Sequence, residues 1–325
     1  VRGEFVMRQT LPMKPPVSPY DLNRLRLRFR ARSPSEGLGA HRHRRMGQSL
    51  EFRDFRDYVP GDDVRAIDWS ASLRSRDRIV KSFEAEERRT LIILLDCRPA
   101  MRLPEGADKL RVAFWIAQLL VDIALAERDH AVIVPLFSAV DHKPVKVRGG
   151  RDKRQVSSLF ETLLNRANDA DTWDAVPRFD GRAAVRALQP AAAVVLLSDM
   201  LFDDPDGRFA GLVRRAQKSY RSFHVFELNS WPMERSLMAG GPFRLAALEG
   251  KDFGETHFEA ADQALREAEQ AMERHLLQLR HAFAGPGLVW PHHAVLWPDT
   301  ADGFQDWFQA AFRKAALLPS LLSRG

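Results

Sequence analysis

The sequence predicts an α/β fold with a doubly wound, mostly parallel sheet. Three short segments, at 91–95, 131–137 and 192–197, are dominated by apolar residues, which is typical of strands buried on both faces of a parallel sheet. A fourth strand is predicted at 222–227. Segments with apolar residues at helical spacing lie between them. Strands that alternate with helices in this rhythm indicate a sheet with helices packed on both sides.

The other elements can be placed in order along the chain. Ser18-Pro19 indicates the start of a short helix, and Leu25, Leu27 and Phe29 then alternate with arginines at a strand period. We predict helices at 108–127, 155–165, 181–188, 206–218, 260–283 and 304–318, and further strands at 144–147 and 294–297. The helix at 260–283 carries an apolar stripe broader than a coiled-coil seam, so we expect this stripe to face the core.

Three segments are expected. Residues 1–19 are rich in proline and are predicted to form a flexible tail, in which residues 1–6, before Met7, are interpreted as the remnant of a cloning vector. Residues 20–90 are predicted to form a small β-rich N-terminal elaboration. Residues 91–318 are predicted to form the α/β domain.

Composition limits the class of protein. Apolar residues make up 45% and charged residues 28% of the chain, as in folded globular proteins. Cys97 is the only cysteine, which excludes an internal disulfide and a multi-cysteine metal site. The most apolar helical segment, 112–126, is interrupted by Gln118 and Asp122 and is shorter than the roughly 20 residues that a bilayer requires. We therefore expect a cytoplasmic protein without membrane insertion.

The basic residues are unevenly distributed. Residues 21–50 hold eight arginines against Asp21 and Glu36, a local charge of +6 that equals the net charge of the whole chain. This arginine arm has two interpretations. It could neutralise nucleic-acid phosphates, although only Tyr20 and Phe29 lie nearby to stack on bases. The interpretation that we favour is docking against acidic groups of a protein.

Two aspartates follow buried strands directly. Asp96 ends the strand at 91–95, and Ser198-Asp199 ends the strand at 192–197. Ligand sites of doubly wound sheets lie at the carboxyl ends of the strands, so we expect both carboxylates in one crevice. No zinc spacing, glycine-rich phosphate loop or nucleophile elbow is present in the sequence.

A long motif precedes the sheet. It comprises Glu51-Phe52 and then Arg56-Asp57-Tyr58-Val59-Pro60-Gly61-Asp62-Asp63-Val64-Arg65-Ala66-Ile67-Asp68-Trp69. Proline, glycine and aspartate at 60–63 indicate a tight turn, and the flanking charged residues are placed to form an ion-pair network. This cluster is interpreted either as scaffolding for the elaboration or as a docking surface for a partner.

Together with the strand at 91–95 and Asp96, this motif resembles the bacterial family known as domain of unknown function 58, over roughly residues 20–315. The resemblance implies a core of von Willebrand factor A type. Such domains often hold Mg²⁺ at a metal-ion-dependent adhesion site, with a D-x-S-x-S pattern, a later threonine and a final aspartate. Here Asp96 and Asp199 match the aspartates, whereas Arg98 and Ala100 occupy the serine positions and Arg182 the threonine position.

This departure from the pattern predicts a degenerate adhesion site. Two carboxylates without hydroxyl ligands make a poor site for Mg²⁺, which prefers several hard oxygens. We expect Arg98, with Arg182 as a second candidate, to bridge Asp96 and Asp199 in place of the metal, because a guanidinium stays charged and forks onto carboxylates. If a metal binds at all, Asp96 and Asp199 are its expected ligands.

The resemblance also implies a function. Proteins of this family are associated with MoxR-type AAA+ ATPases, which makes a non-catalytic adaptor in chaperone-like protein maturation the expected role. Two alternatives stay open: a metal-dependent hydrolase that uses Asp96 and Asp199, and nucleic-acid binding through the arginine arm.

Overall fold

The computed structural model describes most of the chain. The described residues are 11–27, 50–59, 64, 67–75, 77–85, 89–137, 143–167, 179, 181–188, 192–218, 222–239, 241–246, 255–283, 292–319 and 321–324. The chain divides into two compact units, one formed by residues 1–33 with 89–325 and the other by residues 34–88.

The larger unit is built on one six-stranded sheet. Its strands are β4 (Thr90–Asp96), β5 (His130–Leu136), β6 (Val145–Val147), β7 (Ala193–Ser198), β8 (Ser222–Asn229) and β11 (His292–Leu296). They lie in the order β11-β8-β7-β4-β5-β6, and only β6, at one edge, is antiparallel to its neighbour in this sheet. The predicted doubly wound and mostly parallel sheet is confirmed.

Helices cover both faces of the sheet. The larger unit contains α1 (Pro19–Leu22), α3 (Lys109–Ala126), α4 (Lys153–Ala167), α5 (Arg182–Ala187), α6 (Arg208–Lys218), α7 (Trp231–Met238), α8 (Ala261–Phe283) and α9 (Phe304–Arg313). Leu91, Ile93 and Leu95 of β4 pack in one core with α3, α4 and α9. Ile92 and Leu94 face the other core, with α5 and α6. This alternation is why β4 is apolar at every position.

The N-terminal segment differs from the predicted tail. Residues 25–27 form β1 (Leu25–Leu27), which pairs antiparallel with β12 (Leu322–Arg324). Leu11 is buried and its carbonyl accepts a hydrogen bond from Arg111, while the carbonyl of Pro12 accepts one from the Trp115 indole at 2.8 Å. Residues 11–27 therefore belong to the larger unit, because they cover the face of α3 turned away from the sheet.

The smaller unit is β-rich. It contains β2 (Leu50–Asp57) and β3 (Ile79–Ala85), an antiparallel pair with a bulge between Phe52 and Asp54, and α2 (Trp69–Ser75). A second antiparallel pair, β9 (Phe243–Ala246) with β10 (Glu255–Phe258), belongs to the larger unit. The sequence analysis did not predict β9, β10, β12 or α7. Among the described helices, none combines the length and apolar character that crossing a membrane would require.

Candidate functional site

The crevice lies where β4 and β7 end side by side. Asp96 is the last residue of β4, and Ser198 and Asp199 end β7, its parallel neighbour. All three side chains are buried. Ser198 donates a hydrogen bond from its hydroxyl to Asp96 Oδ2 at 2.6 Å. The structure thus brings together the predicted carboxylates at the carboxyl edge of the sheet, where such folds place their ligands.

Arg98 lies between the two carboxylates. Its Nε and Nη2 donate to Asp96 at 2.8–3.2 Å, and Nη2 also donates to Asp199. The remaining nitrogen, Nη1, donates to the carbonyl of Leu201 at 2.7 Å. Phe137 and Phe202 lie against the guanidinium, with ring centroids 5.3 and 5.6 Å from Cζ. Each of the three guanidinium nitrogens donates to at least one protein acceptor, and the side chain is only 4% exposed.

A second cation, Lys109, completes the network. Lys109 begins α3 and its side chain is buried; Nζ lies 3.0 Å from Asp199 Oδ2 and 3.6 Å from Glu234 Oε1. Glu234 also accepts a hydrogen bond from the Ser230 hydroxyl. The result is a series of alternating charges. It is formed by Asp96, Arg98, Asp199, Lys109 and Glu234, which lie at or after the carboxyl ends of β4, β7 and β8.

Lys109 was not among the predicted site residues, although its position in the sequence carries a signal. Val112, Ala113 and Ile116 lie three, four and seven positions after Lys109, on the same helical face, and all are fully buried. A lysine on such a face must find a buried anion, since isolated buried charges are strongly disfavoured. The spacing within α3 could therefore have indicated its partnership with the crevice.

The electrostatics of the crevice keep Asp199 and Lys109 charged. Burial alone would raise the pKa of Asp199, but Arg98 and Lys109 outweigh it and hold that pKa well below its ordinary value. Burial opposes the charge on Lys109, yet Asp199 and Glu234 raise the pKa of this ammonium above its ordinary value. Neither group is poised to exchange a proton near neutral pH, which is what general acid–base chemistry requires.

Arg182 begins α5 with an exposed side chain. Among the described contacts, the second cation on Asp199 is Lys109, which is distant in sequence, and not Arg182 as expected. Ala100 lies in a short 3-10 helix, Pro99–Arg102, and contributes no side-chain oxygen.

The donor set does not fit Mg²⁺. The carboxylate oxygens that face the crevice already accept hydrogen bonds from the Arg98 guanidinium, the Ser198 hydroxyl and the Lys109 ammonium. In the described part of the chain, no cluster of three or more histidine, cysteine, aspartate or glutamate side chains has a metal-binding arrangement. A divalent ion would have to displace two cations that are fixed to the protein.

A pocket opens beside the network. It has a volume of about 130 Å³, well above the roughly 10–15 Å³ that one water molecule needs. Its walls combine Lys109 and Asp199 with apolar and acidic side chains from the segment after β7, the end of β8, α7 and α8. These include Leu201, Trp231, Met272, Leu276, Glu227, Glu234, Glu269 and Glu273.

The predicted motif residues lie in the smaller unit and are only partly described. Pro60, Gly61, Asp62, Asp63 and Arg65, and the side chain of Arg56, lie outside the described residues, and so does the predicted turn. Asp57 is exposed at the end of β2, and the Tyr58 amide donates to the Arg78 carbonyl at 2.7 Å. Asp68 accepts from the amide of Ala71 at 3.1 Å and so caps α2, whose first residue, Trp69, is 61% exposed.

Most of the arginine arm also lies outside the described residues. In its described part, the guanidinium of Arg24 lies 4.4 Å from the centroid of the Tyr20 ring. Arg26 donates to the carbonyls of Asn23 and Leu25 at 2.8 and 2.9 Å. These two arginines hold the turn between α1 and β1, which is a local structural role.

Comparisons with known proteins identify one matching family and similar solved structures. A family model described as "Protein of unknown function DUF58" matches residues 54–276. One similar solved structure is the conserved hypothetical protein BatB from Bacteroides thetaiotaomicron, with 11% identity, a TM-score of 0.34, and coverage of 70% of this chain and 98% of that chain. Another is an aerotolerance-related membrane protein from Bacteroides fragilis, with 13% identity, a TM-score of 0.33, and coverage of 70% and 99%. None of the curated proteins matches the sequence.

Proposed function

The chain belongs to the DUF58 family, and on that premise we propose that it is a non-catalytic protein-interaction module, an adaptor for a MoxR-type AAA+ ATPase in chaperone-like protein maturation. The ATPase partner is what the resemblance to this family implies. The module acts in the cytoplasm under this proposal.

The filled crevice is the observation that supports a binding role over catalysis. Arg98 and Lys109 occupy the side of each aspartate at which a metal ion or a substrate would have to approach. Their charges keep Asp199 ionised, so this carboxylate neither donates nor stores a proton at neutral pH. Because these charges are buried and paired within the chain, we assign binding to the exposed residues at the mouth of the crevice.

The mouth of the crevice provides the test of the docking face. Leu201 is 38% exposed beside the pocket, so Leu201→Glu should place an unpaired charge in the proposed interface and weaken binding of the purified ATPase. Leu245→Glu is the matched control, since Leu245 is 48% exposed on β9, outside the pocket walls. Biolayer interferometry with and without ATP measures both. Equal affinities of the two variants would reject the crevice as the docking face.

A metal titration separates this proposal from the hydrolase alternative. Isothermal titration calorimetry with Mg²⁺ and Mn²⁺ should detect no stoichiometric binding at micromolar concentrations, because two fixed cations repel the ion. Micromolar binding that is lost in Asp96→Ala would overturn the proposal of a metal-free crevice and would favour metal-dependent chemistry at Asp96 and Asp199.

A further inference from the structure

A second basic segment lies in the larger unit, at residues 143–154. It carries a net charge of +5, from six cations against Asp152 alone. Its cations are Lys143, Lys146, Arg148, Arg151, Lys153 and Arg154. Because residues 21–50 already account for +6, the rest of the chain outside these two segments sums to −5. This segment is therefore a local concentration of positive charge that the net charge of the chain conceals.

Five of these six cations have no ion-pair partner among the described residues. Lys153 alone is paired, with Asp122 at 2.5 Å. Asp152, the single acidic residue, accepts a hydrogen bond from the backbone amide of Arg148 at 2.8 Å. All six basic side chains are exposed. Contiguous unpaired charges of one sign produce a field that attracts a partner of the opposite sign.

Two structural roles of basic residues, protection of an edge strand and interaction with a helix dipole, explain few of these six cations. Lysines on an edge strand discourage aberrant pairing, but only Lys146 lies within β6. Cations in the first turn of a helix are unfavourable, because they face the positive end of the helix dipole. Lys153 and Arg154 nevertheless begin α4, which has no acidic residue in its first turn. The helix terminus adds to the positive potential instead of offsetting it.

The basic segment is far from the crevice in the topology of the sheet. β6 is the edge strand at the end opposite β11. It runs antiparallel to β5: Val145 pairs with Ile133, and Val147 pairs with Ala131, nearer the amino end of β5. Residues 148–154 therefore follow at the amino ends of the parallel strands, whereas Asp96 and Asp199 lie at the carboxyl ends. One partner can contact the crevice while another contacts this edge.

The backbone of β6 offers a further means of recognition. Within the described sheet, its outer edge carries no neighbouring strand, so its backbone groups on that side are available to an added strand. The two glycines that follow Arg148 leave the adjoining backbone open, since a Cβ atom at Gly149 or Gly150 would meet no atom within 4 Å. An extended peptide can therefore approach without a steric barrier from these residues.

The chemistry of the segment distinguishes among anionic partners. Residues 143–154 contain no aromatic ring on which bases could stack. Val145 is half-buried and Val147 is buried, so the strand offers no apolar side chain for insertion into a membrane. An acidic peptide in extended conformation uses both the cations and the free strand edge. We propose that β6 and residues 143–154 bind an acidic, extended segment of a partner protein, which adds to the sheet as a strand beside β6.

Fluorescence anisotropy with the full-length chain tests the charge requirement. The probe is a labelled peptide of about ten residues with alternating glutamate and threonine, long enough for one strand. The triple variant Lys146→Glu/Arg148→Glu/Arg151→Glu should weaken binding by roughly tenfold or more, because attraction becomes repulsion. The control triple Arg186→Glu/Arg214→Glu/Arg266→Glu changes the net charge equally at exposed positions elsewhere, and it should bind like the wild type. Equal losses in both triples would overturn the proposal.

Two further probes test the strand and the ligand class. A peptide of the same sequence with an N-methyl group on every residue has no backbone N–H to donate to the edge of β6, so it should bind more weakly than the unmodified peptide. Unchanged affinity would overturn strand addition.

A DNA duplex and vesicles containing phosphatidylserine should bind more weakly than the acidic peptide. If either binds more tightly, and loses binding in the first triple variant, the assignment to an acidic peptide is wrong. These readouts do not involve the ATPase, so they are independent of the proposed function.

Discussion

Arg98 shows how one guanidinium can hold two buried carboxylates together. It is planar, permanently charged and able to fork onto Asp96 while reaching Asp199, whereas an ammonium is a point charge without this geometry. The cost of its burial is offset only while every donor is satisfied. Asp96, Asp199 and the Leu201 carbonyl satisfy them here.

Removal of this guanidinium should strongly destabilise the larger unit. Arg98→Ala leaves two buried carboxylates with fewer partners, so the free energy of unfolding should fall by roughly 3–5 kcal/mol. Arg151→Ala removes an exposed, unpaired arginine and should change the free energy of unfolding by less than about 0.5 kcal/mol. Urea denaturation followed by circular dichroism measures both values. Equal stabilities of the two variants would show that water replaces Arg98 without cost.

His224 provides a pH dependence that is separate from the crevice. It lies buried in β8, stacked on Phe226 with 6.4 Å between ring centroids, and burial lowers its pKa from 6.5 to about 4. The unfolded chain therefore binds more protons than the folded chain between these pH values, so stability falls as the pH drops from 6.5 to 4.

The size of this effect can be measured with a variant that does not titrate. The loss in wild type should reach at most about 3 kcal/mol over that interval. His224→Gln should show a flatter profile in urea denaturation at pH 7, 6, 5 and 4.5. Asp199 also contributes to stability, because its pKa is lower in the folded chain than in the unfolded chain. This contribution is complete above the unfolded pKa of about 4 and is lost only as the pH falls below it. Parallel profiles for wild type and variant would contradict the assignment to His224.

At the scale of elements, α3 is the structural centre of the larger unit. One of its faces packs on the sheet, and the N- and C-terminal segments cover the other. Leu25 and Leu27 of β1 are buried there, and the amide of Leu27 donates to Glu127 at the end of α3 at 2.9 Å. This explains why α3 is apolar almost all round without crossing a membrane: it is enclosed by protein on both sides.

A leucine-to-alanine pair tests the importance of the N-terminal segment. Leu25 is 2% exposed, so Leu25→Ala should lower the free energy of unfolding by about 2–5 kcal/mol through lost burial and a residual cavity. Leu277 on α8 is 52% exposed, and Leu277→Ala should change it by less than about 0.5 kcal/mol. Urea denaturation compares them. A cost below about 1 kcal/mol for Leu25→Ala would mean that residues 11–27 do not stabilise α3.

At the scale of the whole molecule, the features that could be predicted are those that depend on residues close together in the sequence. Buried strands appear as apolar runs, and Asp96 and Asp199 could be placed together because each ends such a run. Lys109 was missed because its partner Asp199 is remote in sequence. The pairing of β1 with β12 was missed for the same reason: the alternation of Leu25, Leu27 and Phe29 indicated a strand, but its partner β12 has only three residues and lies near the other end of the sequence. Residues 11–19, the described part of the predicted tail, pack against the core through a few apolar residues.

The division into two units leads to a prediction about their independence. Every strand of the six-stranded sheet, α3 and the β1–β12 pair lie outside residues 34–88. Replacing residues 34–88 with a glycine-serine linker should therefore preserve a cooperative thermal transition and native circular dichroism. The entropy cost of closing a flexible loop grows only slowly with its length, so the linker should not destabilise the larger unit much.

This deletion also separates the two interpretations of the motif at 51–69. If the motif is a docking surface, the folded deletion variant should lose binding to the ATPase while it keeps binding to the acidic peptide at β6. If the motif is scaffolding for the smaller unit alone, both interactions should persist. A variant that fails to fold would contradict the independence of the larger unit, and Trp69→Ala in the full chain would then test the motif, because Trp69 is exposed and its removal leaves no cavity. Loss of ATPase binding in Trp69→Ala would assign the interaction to the smaller unit.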